Sequence, residues 1–207
     1  MSRETPEPTG AAAAADSKAV ATAKRAEWVV LGTTACICLG AGIQIPFMQG
    51  RRDALGCDAL CYGSMTSVRS ALSLGGGVVM GRLSDQLGRF PAIMAGCLAY
   101  LASTLIFLSW DSLSGLWAAL VLPAIFGDSM FLVMKAVLAD HARASNQSDA
   151  DRAASLGRLG FAAGVGFALG PTAGAYVFKD YKSAAWACLF FQVHSYLTTR
   201  HPVPHSP

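Results

Sequence analysis

The chain has 207 residues, of which 53% are hydrophobic and only 14% charged. An ordinary soluble domain carries roughly 25% charged residues, so this composition argues against a soluble protein and favours a membrane protein. The formal net charge of +3 is too small, and too scattered along the chain, to indicate a nucleic-acid-binding protein.

The N-terminal segment, residues 1–26, is rich in alanine, proline, threonine and charge and lacks a periodic apolar face. We therefore predict a solvated, disordered cytoplasmic tail. An organelle-targeting peptide is an alternative, against which the acidic residues of the segment argue, and the apolar run that follows is too long for the core of a secretory signal.

Apolar runs long enough to cross a bilayer follow the tail, because a helix that spans about 30 Å of hydrocarbon needs roughly 20 apolar residues. The predicted spans are about 28–48, 60–80, 90–110, 114–138 and 156–178. A sixth candidate, 184–199, is shorter and contains His194, and a tail of residues 200–207 follows it. We predict an all-α polytopic membrane protein with five to six transmembrane helices in a domain of residues 27–199.

The distribution of basic residues predicts the orientation of these spans. With the N-terminus in the cytoplasm, the cytoplasmic segments contain Lys18, Lys24, Arg25, Arg82, Arg89, Arg143, Arg152 and Arg200. The opposite side contains Arg51, Arg52, Lys179 and Lys182. Positively charged loops stay on the cytoplasmic side, so the pattern favours a cytoplasmic N-terminus.

The chain shows no pattern typical of an enzyme, a cofactor site or a metal site. It lacks a phosphate-binding Gly-Lys-Ser/Thr loop, zinc-type His/Cys spacing and a serine nucleophile elbow. Most of the six cysteines lie in apolar runs, where a thiol behaves as a small hydrophobic group. Cys57 and Cys61 share one predicted loop, but a four-residue spacing at a helix start is poor geometry for a disulfide.

A compact charged stretch, GRLSDQLGRFP at residues 81–91, separates the second and third predicted spans. Its charges cannot enter hydrocarbon, so we predict a short cytoplasmic turn. Gly81 and Gly88 would let the backbone reverse, and Asp85 would pair with Arg82 or Arg89. A solvated loop that follows the positive-inside rule explains the arginines equally well.

A second stretch, GFALGPTAG at residues 166–174, lies in the fifth predicted span. Small residues at four-residue spacing let helices pack backbone to backbone. The glycines concerned are Gly160, Gly164, Gly166, Gly170 and Gly174. Pro171 removes a backbone hydrogen bond and predicts a kink.

These two stretches resemble signatures of the major facilitator superfamily. Between helices two and three the family carries G-x-L-[small]-D-[R/K]-x-G-R-[R/K], and the matching residues are Gly81, Leu83, Ser84, Asp85, Gly88 and Arg89, with Gln86 and Phe90 in place of basic residues. The second stretch is similar to the fifth-helix pattern G-x-x-x-G-P-x-x-G of the family's proton-linked exporters, and the matching residues are Gly166, Gly170, Pro171 and Gly174.

The resemblance covers about residues 28–191 and implies the N-terminal six-helix half of a major facilitator fold, of the drug/proton antiporter type. It implies that the charged turn is a gating latch that holds the cytoplasmic side closed in one state. We predict that Asp140 and Arg152, which flank the next cytoplasmic loop, join Asp85 and Arg89 in one network. Pro123 stands where the family commonly has an arginine tied to proton coupling.

Three polar residues inside the predicted spans are candidates for a substrate or proton pathway: Gln44, Arg69 and Asp128. An ionised side chain near the bilayer centre costs on the order of 3 kcal/mol, so it needs a partner or a water-lined cavity. Either Asp128 pairs with Arg69 across neighbouring helices, or it faces a central cavity and binds a proton or a cationic substrate.

The leading functional hypothesis is a secondary active transporter that exports a small organic solute by coupling to protons, or the N-terminal half of one. The predicted partners are the lipid bilayer, the solute, protons, and a second half-transporter or a second copy. Since the length allows only one six-helix half, and apolar character is lost after Gln192, we expect a truncated product. The alternative is a truncated, non-transporting membrane protein that binds or modulates a full-length transporter.

Overall fold

Seven α-helices and one π-helical turn make up almost all of residues 10–200, the part of the chain that the computed structural model describes. The elements are α1 (Gly10–Ala54), α2 (Ala59–Leu87), α3 (Arg89–Ser109), α4 (Leu113–Leu122), the π turn (Pro123–Gly127), α5 (Asp128–Ala144), α6 (Asp149–Val177) and α7 (Tyr181–Arg200). The predicted all-α fold is confirmed.

Within residues 10–200, four helical stretches are long and apolar enough to cross a membrane. They are Val20–Ala54, Arg89–Ser109, Leu113–Ala144 and Asp149–Val177. Helices α2 and α7, of 29 and 20 residues, are also long enough to cross about 30 Å of hydrocarbon, but they are less apolar than these four. The predicted spans 60–80 and 184–199 are thus helical and belong to the more polar members of the bundle.

Residues 10–26, which the sequence predicted as a solvated, disordered tail, form the first part of α1. Alanine has the highest helix propensity, and Ala23, Ala26 and Val30 are buried on one face of the helix. At 1.5 Å per residue, the 45 residues of α1 measure about 68 Å, so the helix extends well beyond the hydrocarbon layer. The remaining predicted tail segments, residues 1–9 and 201–207, lie outside the described residues.

Helix α1 is the centre of the bundle. It packs along α6 and α7, while α3 packs against α7 and α4, and α2 packs against the π turn and α5. The larger apolar core lies at the N-terminal end of α1 and includes Val30, Met80 and Met134. A smaller cluster around Met65 and Leu116 lies at the opposite end of the helices.

The sequence of helix α7 is only weakly apolar, and several of its polar residues face the inside of the bundle. Gln192, Ser195 and Thr199 are all buried. The hydroxyl groups of Thr199 and Thr33 lie 3.3 Å apart, and the Ser195 hydroxyl donates to the Thr33 carbonyl oxygen at 3.5 Å. Polar side chains that hydrogen-bond across a helix interface are compatible with a membrane-spanning helix. The low apolar content of this segment had argued against a span.

A disulfide joins Cys57 and Cys61, where the sequence spacing had argued against one. Helix α2 begins only at Ala59, so Cys57 lies in non-helical backbone just before it. The two Cα atoms are 5.2 Å apart, within the usual range for a disulfide. The argument from four-residue spacing at a helix start failed because Cys57 precedes the helix.

Candidate functional site

A cavity of about 520 Å³ opens in the bundle at the smaller apolar cluster, whose Met65 and Leu116 line it. All seven helices and the π turn contribute to its lining. Most of the lining is apolar, including Met48, Met65, Phe107, Phe131 and Phe167. The charged lining residues are Arg52, Arg69 and Asp128, and polar ones include Gln44, Tyr100 and Gln192.

The Asp128 carboxylate is the most heavily bonded group in the cavity. The Nε and Nη2 atoms of Arg69 donate to its two oxygens at 3.0 and 2.8 Å, which makes a bidentate ion pair. The Ser73 hydroxyl donates to Oδ2 at 2.8 Å, and the Tyr100 hydroxyl donates to Oδ1 at 3.0 Å. Asp128 therefore pairs with Arg69 and also lines the cavity, while its binding of a proton or a cationic substrate stays a prediction.

The π turn and two glycines bring these groups together. Pro123, the first residue of the π turn, has no N–H to donate, and Asp128 follows directly after the turn. Gly76 of α2 lies so close to Ile125 that a Cβ atom would be 2.8 Å from the Ile125 Cα atom. Gly127 has the same relation to the ring of Tyr100, at 2.7 Å. Because these glycines let α2 and α3 approach the π turn closely, Arg69, Ser73 and Tyr100 lie around the carboxylate.

Two buried amides in the cavity each have an atom without a hydrogen-bond partner among the described residues. They are Nε2 of Gln44 and Oε1 of Gln192. Both side chains are at least nine-tenths buried, at 7% and 3% exposure. A buried amide atom without a partner carries a desolvation cost, so both atoms are available to a polar ligand.

The residues that match the family's loop signature lie in the last turns of α2 and the first turn of α3. Helix α2 continues to Leu87, so the predicted turn shrinks to Gly88, whose φ of 97° favours glycine. Gly81 is helical with open space beside it, and the expected backbone reversal there is absent. Leu83 packs against the larger apolar core.

Arg89 connects three neighbours at this end of the bundle. Its Nη1 atom donates to Asp85 at 3.0 Å and to the Ser84 hydroxyl at 2.7 Å, and its Nε atom donates to Asp140 at 3.1 Å. Arg89 is therefore shared by carboxylates on α2 and α5. Of the two predicted partners of Asp85, the structure selects Arg89 and leaves Arg82 exposed.

Arg152 does not join this network as predicted. It pairs with Asp149 on its own helix at 3.5 Å, and its Nε atom is buried without a partner in the described part of the chain. Since α6 begins at Asp149, the first turn of that helix supplies the nearer carboxylate.

The glycine motif of α6 packs directly on α1. A Cβ atom on Gly166 would lie 2.8 Å from the Cys38 Cβ atom, and one on Gly170 would lie 2.7 Å from the Gly42 Cα atom. A Cβ atom on Gly174 would overlap the Ile43 carbonyl oxygen. Pro171 lies inside α6 without ending it. Gly160 and Gly164, which the sequence placed in the same ridge, have no neighbour within 4 Å of the Cβ position and form no part of the contact.

Several polar contacts could not be found from sequence. Ser73 and Tyr100 are uncharged residues inside apolar runs, and nothing in their spacing singles them out. Glu27 and Arg158 pair across α1 and α6 at 2.7 Å although 131 positions separate them. At the other end of the bundle Arg51 binds Asp111 at 3.0 Å. Among the described residues no cluster of His, Cys, Asp or Glu could hold a metal ion.

Comparison with known proteins gives matches to one family. A sequence profile of the Major Facilitator Superfamily matches residues 30–195. The class C tetracycline resistance protein of Escherichia coli is 30% identical over 149 residues, which are 70% of this chain and 36% of that protein. Solute carrier family 67 member A1 of Homo sapiens is 29% identical over 153 residues, which are 73% of this chain and 35% of that protein.

A solved structure shares the fold. The crystal structure of the human organic anion transporter MFSD10 (TETRAN) superposes with a TM-score of 0.72 at 21% identity and covers 88% of this chain. The match takes in 48% of that transporter. The chain therefore spans about a third of the length of the two relatives and about half of the solved structure.

Proposed function

Because this chain belongs to the major facilitator superfamily, a family of membrane transporters and not of enzymes, we propose that it forms the N-terminal half of a secondary transporter for a small organic solute. The observation that carries the proposal is the ion pair of Asp128 and Arg69 inside a cavity of about 520 Å³. Ionised groups within membrane-spanning bundles are costly, and they mark substrate or ion pathways. Transporters built from repeated helical halves place their substrate between those halves.

Asp128 is the group we propose for proton coupling. It is a carboxylate that lines the cavity, and its protonation would break a bidentate ion pair between α5 and α2. The resemblance of the α6 motif to exporters supports proton-coupled export, with Gln44, Arg69 and Asp128 along the pathway. Binding or loss of a proton at such a pair changes which helices are held together, as alternating access requires.

The network around Arg89 is the proposed cytoplasmic latch, made by the signature residues and Asp140. One guanidinium holds the end of α2, the start of α3 and the end of α5 in a single arrangement. A rocking motion that separates these ends would break at least one of the two ion pairs. We assign the latch to Arg89, Asp85, Ser84 and Asp140, and assign Arg152 to the start of α6.

The proposed orientation places the N-terminus and the latch in the cytoplasm. In the exposed position next to the latch, Gln86→Cys supplies a label site, and Lys179→Cys in the loop before α7 supplies its opposite. In intact cells a membrane-impermeant maleimide should label the Lys179→Cys variant only. Labelling of the Gln86→Cys variant instead would show the reverse orientation.

A second half is the proposed partner, supplied by another copy or another chain. Helices α2 and α6 both expose large apolar side chains, including Leu74, Val78, Phe161 and Tyr176. The same faces favour a second candidate function, in which the chain binds a full-length transporter and modulates it without transporting. Co-expression should then change the rate of that transporter and recover a complex, whereas an unchanged rate without a complex would contradict this candidate.

Transport is tested with the chain reconstituted in proteoliposomes under an imposed proton gradient. Solute flux should depend on the gradient and should be lost in Asp128→Asn, because the coupling carboxylate is gone. A variant with the same change outside the cavity, Asp149→Asn, should retain the flux. Flux that does not depend on the gradient would contradict proton coupling. Absence of flux at every ratio of protein to lipid would contradict transport.

A further inference from the structure

We infer that the cavity takes an organic anion, with its acid group on Arg69, and that the anion and a proton on Asp128 bind together. The inference rests on the proposed function, since it assigns the chemistry of the same cavity. It differs from the exchange that the exporter-like motif suggests, because ligand and proton here bind to the same state of the protein.

The free hydrogen-bonding positions at the ion pair belong to Arg69. A guanidinium has five N–H groups, and Arg69 uses two of them on Asp128. The other three have no acceptor in the described part of the chain, and the Arg69 side chain is 50% exposed. A carboxylate accepts about four hydrogen bonds, and Asp128 already receives four, from Arg69, Ser73 and Tyr100.

This count decides between the two charge classes of ligand. A cationic ligand would have to displace a protein donor from Asp128, whose side chain is only 23% exposed. An anionic ligand can bind the open edge of Arg69 without displacing any group. Planar, bidentate contacts of this kind are the strong form of the arginine–carboxylate interaction.

The electrostatic field of the cavity also favours an anionic ligand. Its charged lining residues are two arginines and one aspartate. Arg52 lies over the Tyr62 ring at 4.1 Å and donates to the Met48 carbonyl oxygen, and no carboxylate lies within ion-pairing distance of it among residues 17–200. A cavity lined by net positive charge concentrates anions. Gln44 adds an unpaired amide donor.

An anion on the open edge of Arg69 shares the guanidinium with Asp128. Two carboxylates that share one guanidinium repel each other, so a proton on Asp128 relieves the excess negative charge. The proton comes from the buffered bulk solvent, and the Ser73 hydroxyl oxygen can turn to accept the new O–H group. The titratable and charged groups that face Asp128 are Arg69 on α2 and Tyr100 on α3, with Cys38 of α1 beside Tyr100, while α4 and the π turn contribute none.

The test is isothermal titration of the full chain in lipid nanodiscs with three probes of one shape. They are phenylbutyrate, phenylbutylamine and the neutral phenylbutanol. Titration in two buffers with different enthalpies of ionisation counts the protons taken up or released on binding. We expect phenylbutyrate to bind most tightly, with uptake approaching one proton per anion and with higher affinity as the pH falls.

Three variants separate the roles of the charges. Asp128→Asn removes the titratable charge, and its single amide oxygen can accept only part of the four hydrogen bonds that the carboxylate receives. This variant should bind phenylbutyrate at least as tightly as the parent, but without proton uptake or pH dependence. Arg69→Lys and Arg69→Gln should bind it about ten to a hundred times more weakly, as expected for loss of charged hydrogen bonds. Arg158→Gln removes the same charge outside the cavity and should leave binding unchanged.

The possible results distinguish this inference from the proposed function. Tighter binding of phenylbutylamine, with proton release, would overturn the inference and leave a solute cavity that exchanges cations for protons. Proton uptake that persists in Asp128→Asn would also overturn it. Failure of all three probes to bind a folded chain would contradict the solute cavity itself.

Discussion

Replacement of Gly170 by alanine is expected to destabilise the bundle, although alanine is the better helix former. The added Cβ atom would lie 2.7 Å from the Gly42 Cα atom and 2.8 Å from the Leu39 carbonyl oxygen, where ordinary contacts begin at 3.4 Å. The shortfall is about 0.7 Å against backbone atoms. No side chain can rotate away, so α1 and α6 must move apart along their longest contact.

The expected cost follows from overpacking. Inserting a methyl group into a tight contact costs about 1–3 kcal/mol. The matched control is Gly164→Ala on the same helix, which meets open space and should gain up to about 1 kcal/mol from helix propensity. Both variants gain the same helix propensity, so their free energies of unfolding should differ by the overpacking cost, about 1–3 kcal/mol.

The assay is thermal or denaturant unfolding of both variants in the same detergent, followed by helix content. Gly170→Ala should unfold first and Gly164→Ala no earlier than the parent. Gly42→Ala probes the same contact from α1, because its Cβ atom would lie 2.9 Å from the Gly170 Cα atom. Equal stability of Gly170→Ala and Gly164→Ala would refute the packing argument, since it would mean that the helices do not touch at the motif.

Three further predictions concern the ends of the bundle. Exchange of the charges at Asp85 and Arg89 should restore only part of the transport that either single reversal removes, because Asp140 would then face an aspartate; complete restoration would show that Asp140 takes no part. Alkylation of the denatured, unreduced chain should spare Cys57 and Cys61, and mass spectra that show both modified would exclude their disulfide. Asp180 is exposed, and the backbone N–H of Ser183 lowers the pKa of the Asp180 carboxyl. The stability that this carboxylate gives to the start of α7 is therefore present above its ordinary pKa and is lost as the pH falls through the lowered pKa. The melting temperatures of the parent and Asp180→Ala should accordingly converge in acid, and a difference that persists there would contradict this capping role.

The charged stretch at residues 81–91 shows how far a motif predicts structure. Its residue types and spacing indicated a short turn with an internal ion pair, and its resemblance to the family implied a latch; Arg89 does contact Asp85. The sequence also placed Asp140 in this network, and Asp140 contacts Arg89 although 51 positions separate them. The sequence could not exclude Arg152, which a nearer carboxylate in its own helical turn holds instead.

The N-terminal segment and the cysteine pair show where prediction from the sequence fails. Alanine is compatible with both a tail and a helix, and the burial of Ala23 and Ala26 depends on neighbouring helices. The Cys57–Cys61 disulfide depends on where α2 begins, and helix boundaries are the least certain part of any sequence-based prediction.

The sequence by itself determined that this protein is a multi-pass helical bundle, because the length of each apolar run is a local property that lipid and backbone geometry constrain directly. The transporter family was indicated by the resemblance of two short motifs. Only the tertiary structure decided what the buried charges do. Arg69 and Asp128 lie 59 positions apart, and their bidentate contact, the hydroxyl groups that complete it and the free edge of the guanidinium all depend on how closely glycines let α2, α3 and the π turn approach.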